Sequence, residues 1–576
     1  MEGRTGHAGR QLLFSGYGPL VAFAVFFGLM AYLAPTVPSG ALAGHGDPTG
    51  PGGAGASAEG QAPGTAWGPD GGGQASAETP ETSERHDPPS AGEPSQVGAE
   101  PGDAGEGEAA ADGDGEQAAA AEGVQPCADR ELQIPGDPYS PPCVTFEGDN
   151  GGATSRGVTA DEIIISARTP DEPGFQDELA NISGAEISDT QQDVRRTIDG
   201  LVDYFNQRFE LYGRQLRVEF YDGVGEGLEQ SMGRDHEGAH ADALTVAEQI
   251  GAFAELNGGT EPFGDALATN GVIAMGALHF SQEWHTERAP YTWSGLTDCS
   301  TVALASGDWA NVRLRGEEAA HAGDPDFRER VRSQATVLPE NPVYQQCLAA
   351  AEEYARQAGF DPPMSINYTL DISTMSNQAA NIVARLQSEQ ITTVTCSCDP
   401  VMLVFMTSRA QEQDYHPEWI VTGTAFSDQD VVGQLMNQDQ WSRAFGISYN
   451  ASAMPQEASL GYAAYKQVRD DEPAFAVQTI YHTLYMLAIG IQGAGPQLTP
   501  ETFQQGMLDY PGGEGPAGSW GFGPGNFTAP EDFREIYWDP DEISSFNNQP
   551  GAYVETDPGV RHRPGDIPAG PPRVPW

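Results

Sequence analysis

Residues 157–168, GVTADEIIISAR, decide how this chain is read. The β-branched run at 162–168 has the continuous apolar character of a strand buried on both faces. Upstream, residues 44–125 are dominated by Gly, Ala, Pro, Ser, Glu and Asp and hold one aromatic, Trp67. That composition cannot bury enough apolar area to offset its ordering entropy, so a disordered linker is expected at 44–126. A flexible coil of roughly 80 residues spans about 50 Å, and its carboxylates stretch it further. Residues 12–34 carry no charge and follow Arg4 and Arg10, the pattern of a membrane-inserting segment whose start stays in the cytoplasm. Ala41-Leu42-Ala43 also resembles a cleavage site, so residues 1–43 are expected to be either a signal anchor or a signal peptide. Everything after them is expected outside the cytoplasm, anchored to the cell membrane or secreted.

Downstream of residue 157, strands and helices alternate. Val194, Ile198, Leu201, Val202, Phe205 and Phe209 fall at helical spacing, and Leu216, Val218 and Phe220 alternate with polar residues as a half-buried strand does. A helix over 241–256 and a strand over 272–278 follow. This order implies a parallel sheet covered by helices. The pattern then restarts: strands at 332–338, 365–369, 391–395 and 419–422 surround helices at 342–358 and 376–387. Two successive sets imply an α/β chain with two lobes within 127–576, the first about 156–325 plus 455–530 and the second about 326–454. The apolar helix at 474–490 returns to the first lobe. From Gly512 the density of Gly and Pro predicts irregular coil with short strands lying along a lobe surface.

The formal net charge is −55, from 28 basic and 83 acidic residues, with Lys466 the sole lysine. Such a surface repels nucleic acid and anionic membrane alike. The six cysteines, Cys127, Cys143, Cys299, Cys347, Cys396 and Cys398, are an even set in an exported chain, which favours disulfides over metal ligation. Cys127 and Cys143 form the natural local pair; the other four allow three pairings.

Several segments taken in order resemble the type I periplasmic binding proteins, specifically the receptors of branched-chain amino acid ABC transporters. They are GVTADEIIIS at 157–166, YTWSGLT at 291–297, NIVARLQSEQITTVT at 381–395, YHTLYMLAIGIQGAG at 481–495 with LTPETF after it, and the closing GSWGFGPGNFT and REIYWDP. The resemblance covers about 156–568. It implies a two-lobed fold that closes on a small-molecule ligand, an amino acid or related solute, with a possible ABC permease as partner and no cofactor, metal or catalytic residue. Carried over by position, Ser281 and Thr297 would hold the ligand from the first lobe, Tyr344, Asp399 and Thr424 would close over it from the second, and Phe175 would lie in the loop after the first strand. Each has a plainer use: Ser281 and Thr297 suit helix caps, Tyr344 suits packing, and Asp399 before Pro400 suits a turn. His279-Phe280 and the Cys396-Ser397-Cys398-Asp399-Pro400 loop depart from the family's amino-acid pocket. Of the rival readings, an exported hydrolase lacks a G-x-S-x-G elbow, an H-E-x-x-H helix and a P-loop. His279, Glu283 and His285 are close enough in sequence to suggest a metal cluster, yet such sets are more often surface polar residues. A tethered sensory or scaffolding module would use the same fold without transport.

Overall fold

The computed structural model describes residues 122–169 and 189–576; the apolar run, nearly all of the linker and Phe175 lie outside the described residues. The first sheet has five parallel strands, in the order Gln215–Asp222, Glu162–Thr169, Ala254–Glu255, Ile273–Met275 and Thr292–Trp293. Ile163, Ile165 and Ala167 turn one way into a core shared with Ile198, Leu201 and Phe205. Ile164 turns the other way, onto Ala243, Val246, Phe263 and Leu267. Both faces are therefore covered, which explains the unbroken apolar run of the central strand. Gly157 enters this strand at φ +70°, and a Cβ there would collide with the backbone of Phe253.

The helix Gln191–Arg208 opens with a capping box between Thr190 and Asp193. The next segment differs from the expectation of one helix over 241–256. It is a helix His236–Leu244, a π-helical turn Thr245–Ile250 and a strand Ala254–Glu255, divided where Gly251 takes a left-handed conformation.

The second sheet has seven strands. Met364–Tyr368, Gln334–Pro339, Thr393–Cys396, Glu418–Val421 and Phe445–Ser448 run parallel in that order. Arg534–Ile543 and Pro550–Glu555 extend it antiparallel. The expectation of irregular coil with short strands after Gly512 fits Gly513–Gly515 and Gly518–Trp520 but not these two strands, which extend a sheet. Tyr537 and Trp538 belong to a ten-residue strand in the sheet, and the acidic run beyond them carries the shift of register between Asp539 and Ile543. Trp419 and Val421 face a core with Val337, Val394, Ile382 and Met402. Ile420 between them faces Val302, Trp309 and Phe445 on the opposite side. The helices Cys299–Arg313 and Pro342–Gln357 pack together, as do Ile372–Ser388 and Pro400–Glu412.

The chain crosses between the two sheets three times. It leaves the first after Trp293, returns to it with the helices Leu460–Tyr465, Val477–Ala494 and Pro500–Leu508, and leaves again into Arg534–Ile543. The crossings are stitched together: Ala529 N–H donates to Ser294 O at 3.1 Å, and Thr528 Oγ1 donates to Asp298 Oδ2 at 3.0 Å. Where Val477–Ala494 and Pro500–Leu508 meet, Gly506 lies so near the backbone of Ala494 that a Cβ would not fit.

Residues 122–156 form an arm on the first lobe. Val124–Pro126 pairs antiparallel with Val144–Phe146, and a disulfide joins Cys127 to Cys143. Tyr481 Oη donates to Asp137 Oδ2 at 2.9 Å, Gln492 Nε2 donates to Pro142 O at 2.9 Å, and Tyr139 is buried against Trp520. The remaining cysteines pair as Cys299–Cys347 and Cys396–Cys398.

Candidate ligand cleft

Both sheets carry their parallel strands in the order 2-1-3-4-5. In open sheets of this kind ligands bind outside the carboxyl ends of the strands, where the winding reverses. From the first sheet those ends release residues 257–261 and 276–281; from the second, 340–344, 397–399 and 422–427. These loops face one another. Ala277, Leu278, Phe280 and Trp284 pack with Val343 from the other side, and Tyr344 and Phe426 adjoin them. A shallow recess, partly open to solvent, lies there, lined by Thr260, Glu261, Leu278 and Phe280 facing Asn341, Val343 and Tyr344. Around it the lobes touch through polar contacts. Ser281 Oγ bonds Gln346 Oε1, Asn341 Nδ2 donates to Met232 O at 3.4 Å, and Arg234 Nη1 donates to Leu370 O at 3.1 Å.

The residues singled out in the sequence fall into different roles. Tyr344 lines the recess, and burial with the nearby Asp399 and Glu261 charges pushes its phenol up. Asp399 lies close behind it. It caps the helix Pro400–Glu412 through the N–H groups of Val401 (2.9 Å) and Met402 (3.0 Å), and accepts from Tyr368 Oη at 2.5 Å. Burial nevertheless raises its carboxyl above the usual range. Ser281 caps Gln282–Glu287 by accepting from Trp284 N at 3.0 Å. Thr424 shares a hydroxyl contact of 2.9 Å with Thr422 in the turn that presents Phe426. Thr297 is not brought to the recess: its hydroxyl donates to Pro530 O at 2.8 Å, tying two of the crossings between the lobes. Thr297→Ala is therefore expected to lower the unfolding free energy by about 1 kcal/mol, read from urea denaturation.

Residues that sequence reading missed stand beside these. Glu261 starts the helix Glu261–Thr269, and burial raises its carboxyl, with the Trp284 indole beside it. Arg168, the last residue of the opening stretch, is fully buried behind Thr260. Its guanidinium meets Asp242 at 2.8 Å and Gln230 at 3.1 Å and lies 3.8 Å over the Phe263 ring. Gln230 Oε1 in turn accepts from Thr260 Oγ1 at 3.3 Å, so the buried network reaches the recess wall. A charged residue closing an apolar strand was the available signal. Glu255 completes the network by accepting from Ser166 Oγ (2.5 Å) and Arg168 N (2.9 Å). Among the described residues no three His, Cys, Asp or Glu side chains gather to hold a metal. His279 and His285 turn to separate partners, Thr297 O and Thr292 Oγ1. No described helix is long and apolar enough to cross a membrane.

A family model for periplasmic binding proteins matches residues 179–541. No curated protein matches the chain in sequence. Among solved structures, a solute-binding protein of an ABC transporter from Rhodopseudomonas palustris HaA2, in complex with p-hydroxybenzoic acid, is similar at 10% identity and TM-score 0.48, covering 70% of this chain and 97% of its own. A fatty acid ABC transporter substrate-binding protein from Thermomonospora curvata is similar at 15% identity and TM-score 0.45, covering 70% and 93%. A possible leucine/isoleucine/valine-binding protein from Rhodopirellula baltica SH 1 is similar at 9% identity and TM-score 0.46, covering 68% and 96%.

Proposed function

The chain belongs to the periplasmic binding protein family, of type I, whose members are solute-binding proteins and not enzymes, and from that premise we propose that it is a tethered extracytoplasmic receptor serving an ABC permease. In this reading residues 1–43 enter the membrane, 44–126 form the leash and 127–576 form the binding domain. The observation that carries it is the meeting of both sheets' carboxyl ends at one recess, lined from both sides. Capture is a hinge closure about the three crossings, with Tyr344 shutting from the second lobe onto Glu261 and Thr260 of the first. Asp399 and Thr424 shape the closing edge, and Ser281 holds the lobes together through Gln346.

A thermal-shift screen over amino acids, hydroxybenzoates, fatty acids, amides and compatible solutes tests the reading. A ligand present at 100 times its Kd stabilises the folded chain by about 2.7 kcal/mol, enough to raise the melting temperature visibly. A chain whose melting temperature no small solute raises is not a solute receptor.

A further inference from the structure

We propose that the guest of this cleft is an uncharged solute with an apolar body, a phenol, amide or alcohol rather than a carboxylate, an ammonium or a zwitterion, and that it lodges between Leu278 and Phe280 of the first lobe and Val343 and Tyr344 of the second. The proposal rests on the cleft reading above and names its ligand chemistry.

The contact between the lobes supplies the first observation. Leu278 and Phe280 follow the strand Ile273–Met275, Val343 and Tyr344 open the helix Pro342–Gln357, and these four line the recess from opposite sides. The same side chains meet in one apolar cluster that also takes in Trp284 and Phe426. Leu278, Phe280 and Val343 are buried although they stand at the loop ends where the two sheets face each other. Parting the lobes wets these faces. An apolar guest covers them again when the lobes shut on it, a gain that grows with the area withdrawn from water. A charged group held there gives up its hydration against carbon and gains no partner.

Charge supplies the second observation. No lysine or arginine lines the recess among the described residues, so a guest carboxylate finds no countercharge on its wall. The neighbouring cations are already engaged: Arg168 with Asp242, Arg288 with Asp265 at 2.7 Å and over the Trp284 ring, and Arg234 with Glu229 at 2.6 Å. Glu261, the acidic residue on the wall, does not call for a guest cation either. His236, Arg288 and the Trp284 indole neighbour its carboxyl, and burial raises it toward the neutral form. Burial likewise keeps the Tyr344 phenol protonated. Besides carbon the wall offers neutral groups, the Thr260 hydroxyl and the Asn341 amide. A few such groups in an apolar lining orient a guest by its own hydroxyl or amide.

Two matched sets of probes separate the outcomes: benzamide, benzoate and benzamidine, and isovaleramide, isovalerate and isopentylamine, each titrated by calorimetry in about 0.5 M NaCl to screen the acidic surface. In at least one set the amide is expected to bind more tightly than both charged members by about 10-fold or more. Phe280→Ser is expected to weaken the amide by about 10-fold, and Val343→Thr, which keeps the shape of the side chain and spares the fold, by about 5-fold. A charged member that binds within about 10-fold of its amide, in every set that binds at all, overturns the inference and leaves a solute receptor standing. Amide affinity unchanged in both variants puts the guest elsewhere and overturns it too. If no probe of either set binds, the thermal-shift screen above, extended to phenols and alcohols, decides. Stabilisation confined to uncharged apolar solutes sustains the inference, stabilisation by an amino acid, a carboxylate or an ammonium overturns it, and stabilisation by no solute removes the receptor reading along with it.

Discussion

Arg332→Ala is expected to cost about 3–5 kcal/mol of unfolding free energy, a large part of the 5–15 kcal/mol that holds a typical domain folded. Arg332 and Glu418 are 2% and 0% exposed, and the pair is bidentate, with Nε–Oε2 at 2.7 Å and Nη2–Oε1 at 2.9 Å. Glu418 also accepts from Thr393 Oγ1 at 2.7 Å and from the backbone N–H of His321 at 3.1 Å. Truncating the arginine leaves that carboxylate buried with its charge unanswered. The paired change Arg332→Met with Glu418→Leu removes both charges and is expected to cost less, about 1–3 kcal/mol for the Thr393 hydroxyl and His321 N–H that lose their acceptor. Glu418 begins its strand at the end remote from the cleft, so ligand affinity of the remaining folded protein should be unaffected. Urea denaturation of both variants checks the contrast. Equal losses in both would mean that the methylenes, not the charges, matter.

The second large effect is acid destabilisation through His285. This imidazole is 1% exposed, lies 2.9 Å from Thr292 Oγ1 and is nearly parallel to the Phe527 ring. Burial lowers its pKa from 6.5 to about 3. Below pH 6.5 the unfolded chain takes up a proton that the folded chain refuses, so stability falls as pH falls and goes on falling until the folded value is reached. Between pH 6.5 and 5 the loss from this one group is about 2 kcal/mol. The carboxyls of Glu255, Asp298 and Asp399, raised by burial, act with the opposite sign, losing stability as pH rises from about 4. The His285 contribution is therefore measured as the difference between the native chain and His285→Gln, which keeps a polar partner for Thr292 and does not titrate. That difference is expected to shift by about 2 kcal/mol against the native chain between pH 7 and pH 5. A pH-independent difference would mean that the imidazole ionises inside the fold.

The fold was readable where residues report their surroundings locally. The stretch 162–168 is apolar on consecutive residues because Ile163 and Ile164 face different helical layers, and Ile198, Leu201 and Phe205 recur at helical spacing because one face of their helix is buried. Pro400–Glu412 and Ala254–Glu255 are among the elements that escaped. Pro400–Glu412 buries Val401, Met402, Leu403 and Val404 on consecutive positions, so no polar face is left to give it a period. Ala254–Glu255 is a strand of two residues, too short for alternation to appear. Beyond Gly512 the density of Gly and Pro hid the strand Arg534–Ile543, which passes Pro540 by a shift of register. The site was harder still. Hydroxyls at Ser281 and Thr297 were found by position, but whether they face a ligand or serve the backbone depends on Trp284 N and Pro530 O, which sequence spacing does not reveal. Glu261 and Tyr344 come to line one recess only after the chain has crossed from one sheet to the other.

The arm at 122–156 bears on how such a receptor works under strain. Gln133 reaches the carbonyl of Arg208 at 2.5 Å, Tyr139 reaches that of Gly518 at 3.0 Å, and the Cys127–Cys143 loop grips the helix Val477–Ala494. All of these anchor points belong to the first lobe. Any pull arriving along the chain from its beginning is borne by that lobe, like a handle riveted to one jaw of a clamp. In the tethered reading proposed above, the other jaw carries no load, so mooring does not hinder the proposed closure.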